Sequence, residues 1–359
     1  MNELERLALA PPRAAGTAAG TARIRVLPED FEVHEQLGFE AAGKGEHVLL
    51  QVRKREANTQ WVARELARIA GVKPFDVGYA GLKDRRAVTT QWFTVPSRRR
   101  EPSTWLEVRG QGYEVLTAQA HTRKLPRGAL AANVFRIVLR DFKGDAALLQ
   151  ARVDEIARRG VPNYFGPQRF GRDLANLRLD PQGGSRDRAA RGFEFSALRS
   201  VLFNAVLAER VERGNWDRLH VGERANLDGS NSSFRVESID TTLESRLTTL
   251  DIHPTGPLYG LGASGIEGEI AELETAVLER HAEITGRLLE DRLEASRRPL
   301  RVAARDLTLE WQVQAPGQEQ APQPAAVLSF RLRPGSFATT VLRELVELDT
   351  ATATEDEHD

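Results

Sequence analysis

Asn133-Val134-Phe135-Arg136-Ile137-Val138-Leu139-Arg140 alternates with the two-residue period of a β-strand. Phe135, Ile137 and Leu139 fall on one face, and Val134, Arg136, Val138 and Arg140 on the other, because successive strand side chains point to opposite sides. Working upstream, residues 47–53 repeat the pattern, with Val48, Leu50 and Val52 together. Residues 92–95, 105–108 and 114–118 are further short strands by the same criterion. Between them, Asn58 or Thr59 can cap a helix carrying Trp61, Val62, Leu66 and Ile69, which stops at Gly71. Downstream the period changes to that of a helix over residues 146–159, ending at Gly160. Residues 195–212 and 267–296 read as mainly helical. The strand pattern returns over 327–332, Pro334-Gly335 breaks it, Ser336 can cap, and residues 337–348 form a helix. Strand-rich ends around a helical middle predict an α+β protein. Its antiparallel or mixed sheet is interrupted by an inserted helix-rich domain.

The parts that fit no period are loops. Much of residues 1–22, rich in Ala, Pro, Gly and Thr, is expected to be loop or mobile arm. Residues 180–187 are a Gly/Ser/Asp/Arg loop, and the acidic tail 351–359 is expected to be disordered. No fixed-period repeat is present.

Composition narrows the chemistry. The 359 residues include no cysteine, which removes disulfides, thiolate metal sites and a cysteine nucleophile. No run of about 18 apolar residues marks a transmembrane helix. Met1 to Ala10 carries Glu3, Glu5 and Arg6, unlike a signal peptide. A cytoplasmic protein is expected. The net charge of −1 hides an asymmetry: residues 51–140 hold 18 Lys+Arg against 7 Asp+Glu, a local +11, so the rest sums to −12. Such a segment fits either a polyanion-binding face or a solvated Arg-rich surface.

Several motifs fail on context. Gly260-Leu261-Gly262-Ala263-Ser264-Gly265 has the letters of a dinucleotide fingerprint, but Pro254, Gly256 and Pro257 precede it where a buried strand should run. Phosphate-loop, HExxH and GxSxG patterns are missing, and seven scattered histidines do not suggest zinc.

Three segments carry possible chemistry. Gly78-Tyr79-Ala80-Gly81-Leu82-Lys83-Asp84-Arg85-Arg86-Ala87-Val88-Thr89 sets a carboxylate among three cations after two glycines. Nearby cations favour the ionised carboxylate and can also hold phosphates. A turn with a surface salt-bridge cluster would look the same. Gly160-Val161-Pro162-Asn163-Tyr164-Phe165-Gly166-Pro167-Gln168-Arg169-Phe170-Gly171 interleaves aromatics with amides and Arg, which suits base stacking or a packed junction. Residues 334–345 by themselves are structural.

Together these segments resemble the TruD pseudouridine synthases. The stretch 78–89 followed by Gln91-Trp92 is similar to the family's catalytic motif, and Pro28-Glu29-Asp30-Phe31-Glu32-Val33 with Glu35 to its N-terminal motif. Gly45-Glu46-His47, Asn58-Thr59, Lys124-Leu125, Gly128, Asn133-Val134-Phe135 and the block 162–171 follow in the family's order. Ser196-Ala197-Leu198-Arg199-Ser200, Leu202-Phe203-Asn204 and Pro334-Gly335-Ser336-Phe337-Ala338-Thr339 extend the likeness, which spans residues 21–348.

This resemblance implies a discontinuous catalytic domain, 1–159 plus 303–350, with a TruD-specific domain inserted at 160–302. It implies conversion of uridine 13 of transfer RNA to pseudouridine, without cofactor or metal. Asp84 falls on the catalytic aspartate, and Phe31, Asn133 and Phe135 on positions around the target base. Lys83, Arg85, Arg86, Gln168 and Arg169 are expected RNA contacts. Arg25, also an expected substrate contact, stands where the family commonly has Lys, keeping the charge with a different geometry. Base flipping would precede catalysis. Asp84 would then attack ribose C1′ or the base, or take a ribose proton. The expected partner is transfer RNA, bound by a monomer. A non-catalytic RNA-binding protein accounts for the charge but not for a carboxylate that repels phosphate. An RNA methyltransferase lacks its cofactor loop.

Overall fold

The computed structural model describes residues 1–98, 100–178, 188–290, 292–312 and 325–349. The loop expected at 180–187 and the tail at 351–359 lie outside the described residues. In chain order the first strands are β1 (Gly20–Arg23), β2 (Phe31–Gln36), β3 (His47–Arg55), β4 (Gly78–Tyr79), β5 (Val88–Pro96), β6 (Arg109–Gly110), β7 (Tyr113–His121) and β8 (Ala132–Gly144). There follow β9 (Val161–Pro162), β10 (Arg224–Leu227), β11 (Ser233–Arg235), β12 (Ile252–Leu258), β13 (Ser296–Pro299) and β14 (Arg301–Val302). Last come β15 (Arg305–Gln312), β16 (Ala325–Leu332) and β17 (Glu347–Leu348). The helices are α1 (Glu3–Leu9), α2 (Thr59–Ala70), α3 (Ala146–Arg159), α4 (Arg188–Glu212), α5 (Thr241–Thr248), α6 (Glu269–Glu279), α7 (Ala282–Glu290) and α8 (Ala338–Leu345).

Two compact units divide the chain. The strand-rich unit comprises Ala19–Val153, Arg305–Ser336 and the chain from Val346 on; the helix-rich unit comprises Met1–Ala18, Asp154–Ala304 and Phe337–Leu345. In the strand-rich unit one mixed sheet of eleven strands runs β15-β16-β8-β2-β5-β3-β7-β6, with β1, β17 and β4 paired beside it. Most neighbours are antiparallel, while β2 with β5 and β1 with β17 are parallel. The α+β class expected from the sequence is what is observed. The strand singled out first, β8, is central, because β2 and β16 flank it. β16 returns some two hundred residues later to pair Phe330 with Phe135 and Leu332 with Asn133. α2 starts at Asn58, whose side chain accepts the Gln60 N–H, and ends at left-handed Gly71. Its Val62 and Leu66 pack with Val48, Leu50, Val52, Phe93 and Val95. Burying each such side chain stabilises by about 1.5–3 kcal/mol.

In the helix-rich unit α4 is buried around much of its surface, with Leu198, Val201, Leu202, Phe203 and Val206 at its core. A four-stranded sheet, β11-β10-β12-β13, and the short pair β14-β9 complete it. Gly160 ends α3 at φ +74°, and a Cβ there would meet the Val302 carbonyl at 2.4 Å, so glycine is required twice over. Among the described residues no helix is long and apolar enough to cross a membrane.

Three local expectations fail. Residues 1–22 are loop only over 10–19: Asn2 and Glu5 form a capping box for α1, Leu7 and Ala8 are buried, and β1 begins at Gly20. Residues 105–108 are not a strand, because Pro102 lacks the ladder N–H and opens a 3₁₀ turn, Pro102–Glu107, that buries Trp105. The C-terminal helix ends at Leu345, and Glu347–Leu348 pairs with β1 instead.

Candidate active site

Arg25, Phe31, Lys83, Asp84, Arg85, Arg86, Asn133 and Phe135 all sit in the strand-rich unit. Pro28–Asp30 makes a 3₁₀ turn whose Asp30, 1% exposed, accepts the Leu27 N–H at 2.8 Å and the Arg140 guanidinium at 2.7–2.9 Å. This anchor fixes where β2 begins and so where Phe31 projects. Phe31 meets Phe135 edge-on at 6.1 Å, and Phe135 stacks on Phe330 at 5.3 Å, an aromatic ladder across β2, β8 and β16. One register step along, buried Glu35 lies opposite Asn133. The Asn133 Oδ1 is buried and has no hydrogen-bond partner among the described residues.

The loop after β4 brings Asp84 to this ladder. Gly78 is glycine because a Cβ would lie 2.5–2.8 Å from Thr94 Oγ1 and the Leu125 backbone. Gly81 has open space around its Cβ position, and its carbonyl accepts Gln91 Nε2 at 2.6 Å. The Lys83 N–H donates to Thr59 Oγ1 at 3.1 Å, while its ammonium pairs with Glu35 Oε1 at 2.8 Å. Burial pushes the Glu35 carboxyl up, and the Lys83 charge opposes that shift. Lys83 therefore turns inward, with 10% of its side chain exposed. Arg85 is exposed and Arg86 half-buried. The cation on Asp84 is Arg25, which hydrogen-bonds its Oδ2 and lies 4.2 Å from the Phe31 ring centroid. Arg25 holds φ +56°, a left-handed conformation that costs a non-glycine residue about 1 kcal/mol or more. The Asp84 side chain remains 51% exposed.

Lys54 completes the group and was missed in the sequence. It is fully buried, and its ammonium donates to the carbonyls of Ala57 at 2.9 Å, Asp84 at 2.9 Å and Lys83 at 3.4 Å. Burial drives its pKa down to about 8, against the pull of Asp84. A signal existed: Lys54 continues the face of Val48, Leu50 and Val52. Phe330 was also missed, although it lies on a strand the pattern predicts.

Gln168 and Arg169 belong to the helix-rich unit, exposed on the 3₁₀ turn Pro167–Phe170. Arg169 donates to Ser196 Oγ at 3.0 Å. The aromatics of the same block, Tyr164, Phe165 and Phe170, pack in that unit's core, whereas Asp84 belongs to the strand-rich unit, within which Phe31 and Phe135, 2% and 7% exposed, are buried. Among the described residues no group of three or more His, Asp or Glu side chains could hold a metal ion.

The model of the family described as tRNA pseudouridine synthase D (TruD) matches residues 13–179 and 193–345. The chain belongs to the TruD family. It is 46% identical over 344 residues to a tRNA pseudouridine synthase D of Methylococcus capsulatus, covering 94% of each chain. Identity to that of Nitrosococcus oceani is 45% over 337 residues, covering 92% of each. A crystal structure of a Methanosarcina mazei protein bearing the TruD name superposes with a TM-score of 0.80, at 23% identity over 96% of this chain and 98% of that one. That likeness extends the TruD fold to the arrangement seen here.

Proposed function

We propose that this chain isomerises uridine to pseudouridine at position 13 of transfer RNA, with Asp84 as the catalytic carboxylate. Its family membership supports the isomerase activity, and one observation carries the site. A half-exposed carboxylate, held by Arg25 and by the Lys54 clamp on its residue's carbonyl, stands beside an aromatic ladder that carries an amide oxygen without a partner among the described residues. The target uridine leaves its stack, which takes a few kcal/mol, and enters an aromatic-walled pocket. Phe31 and Phe135 receive the ring. Asn133 Oδ1 accepts the uracil N3–H, its missing donor. Asp84 then acts as nucleophile or base on the ribose–uracil unit. The N1–C1′ bond breaks and its electron pair stays on N1, the uracil turns, C5 bonds C1′, the C5 proton leaves to solvent, and N1 takes up one proton in exchange. Atoms and electrons balance within the substrate, so this reaction draws on no cofactor.

Arg85 and Arg86 contact phosphates near the target, and Gln168 and Arg169 contact RNA from the helix-rich unit. Lys83 serves through Glu35 instead, by setting the course of the loop. Residues 1–159 and 303–350, which include the described residues of the strand-rich unit, form the catalytic domain, and residues 160–302 of the helix-rich unit are the insertion that characterises the family. The chain works as a monomer in the cytoplasm, the compartment that holds transfer RNA.

The test uses an unmodified tRNA transcript carrying 5-tritiated uridine, with no added cofactor. Wild-type protein should release tritium and leave pseudouridine at position 13. Asp84→Asn should bind the transcript and release none. Appreciable turnover by Asp84→Asn would remove Asp84 from the chemistry, and a silent wild type would remove the function.

A further inference from the structure

Beside β4, in the strand-rich unit, runs a groove of about 620 Å³ whose lining includes Arg64, Phe75, Tyr79, Lys124 and Arg127. No carboxylate lines it. Phe75 is 82% exposed on the turn Pro74–Asp76. That turn is not loose: the Asp76 side chain accepts the Lys73 N–H at 3.1 Å, and Lys124 donates to the Phe75 carbonyl. The Lys124 ammonium lies 4.2 Å from the Phe75 ring centroid. Arg127, itself exposed, sets its guanidinium over the ring of buried Tyr79, 3.6 Å from the centroid. Neither Arg64 nor Arg127 has an acidic partner among the described residues.

A fixed, almost fully exposed phenylalanine gains nothing from packing, and a wall of cations without acids gains nothing from ion pairs. Aromatic faces with cations along a groove suit one class of ligand, unpaired nucleic acid, whose bases stack and whose phosphates carry the charge. The groove is also coupled to the loop of Asp84. Leu125 donates its N–H to Thr94 Oγ1 at 2.8 Å and packs against Gly78, and the Gly128 N–H donates to the Ala80 carbonyl at 2.7 Å. The segment 124–128 thus runs along the strand that leads into Asp84.

We propose that this groove is a second RNA subsite, which takes an unpaired nucleotide of the substrate other than the target uridine. Phe75 stacks on its base, Arg127 backed by Tyr79 offers a second flat cationic surface, and Lys124 and Arg64 hold its phosphates. The proposal rests on the RNA-modifying reading above. Its test measures the affinity of a labelled, unmodified tRNA transcript for Asp84→Asn protein carrying further substitutions, across a salt series. Phe75→Ala should weaken binding about fivefold or more, Phe75→Leu should do nearly as much, and Phe75→Trp should restore it. Lys124→Gln should lower the salt slope by about one unit, whereas Phe75→Ala leaves the slope unchanged. Affinities for Phe75→Ala within about twofold of the parent would overturn the subsite, since a lost stacking contact exceeds that. Wild-type turnover on the same transcript is the separate check: without it the functional reading fails, and with it an unchanged affinity fails the groove alone.

Discussion

Lys54 ends a strand face that is otherwise Val48, Leu50 and Val52, and its three ammonium hydrogens meet three carbonyl oxygens. Two of those carbonyls belong to Lys83 and Asp84, so the lysine holds the loop that carries the proposed catalyst. With its pKa lowered to about 8 by burial, the ammonium is present below that pH and lost above it, leaving two donors for three acceptors. Turnover should therefore decline as pH rises through about 8, and Lys54→Met should be slower at every pH and lack that alkaline limb. A pH–rate profile of both proteins checks this; an identical limb in Lys54→Met would assign it to another group. At this scale Asp84 was legible because its motif is contiguous. The direction of Lys83 was not, since adjacency in sequence does not say that its amine turns to Glu35 while Arg25, fifty-nine residues away, takes its place beside Asp84.

Elements were legible where periodicity was long and unlegible where a few residues depend on their neighbours. β8, α2 and α4 announce themselves. α1 does not: seven residues are too few to be a stable helix alone. It forms because Leu7 and Ala8 join the core of Phe203 and Tyr164, and because Asn204 Nδ2 donates to the Leu7 carbonyl at 2.9 Å. Leu7→Ala should lower the unfolding free energy of that unit by about 2–3 kcal/mol, read by urea denaturation. A change below about 0.5 kcal/mol, the level of an uninvolved surface site, would mean that α1 does not contribute to the core. The block 160–171 teaches the same point in reverse, since its aromatics suited stacking by type but are spent on the core.

Across the whole molecule the charge asymmetry is concentrated in residues 51–140, all within the strand-rich unit. Some of those cations are neutralised locally: Arg53 by Glu114, Arg55 by Glu29 and Glu56, Arg136 by Glu32, and Arg140 by Asp30. Arg64, Arg85, Arg123 and Arg127 have no acidic partner among the described residues, which leaves charge for phosphates. Affinity for tRNA should fall steeply with salt, by roughly a hundredfold or more between 50 and 200 mM, as counterions stay with the RNA. A flat dependence, measured by filter binding, would place the RNA contacts elsewhere.

By itself the sequence determined the α+β class, the interrupted strand pattern, the loop of Asp84 and the charged segment. Each of these depends on residue type at short spacing, and the chain states that directly. Only the tertiary structure decided which cation meets Asp84, which aromatics form the ladder across β2, β8 and β16, and that Lys54 sits beneath the loop. Those outcomes depend on strand register and on competition for burial between residues far apart in the chain. No local pattern encodes who wins that competition.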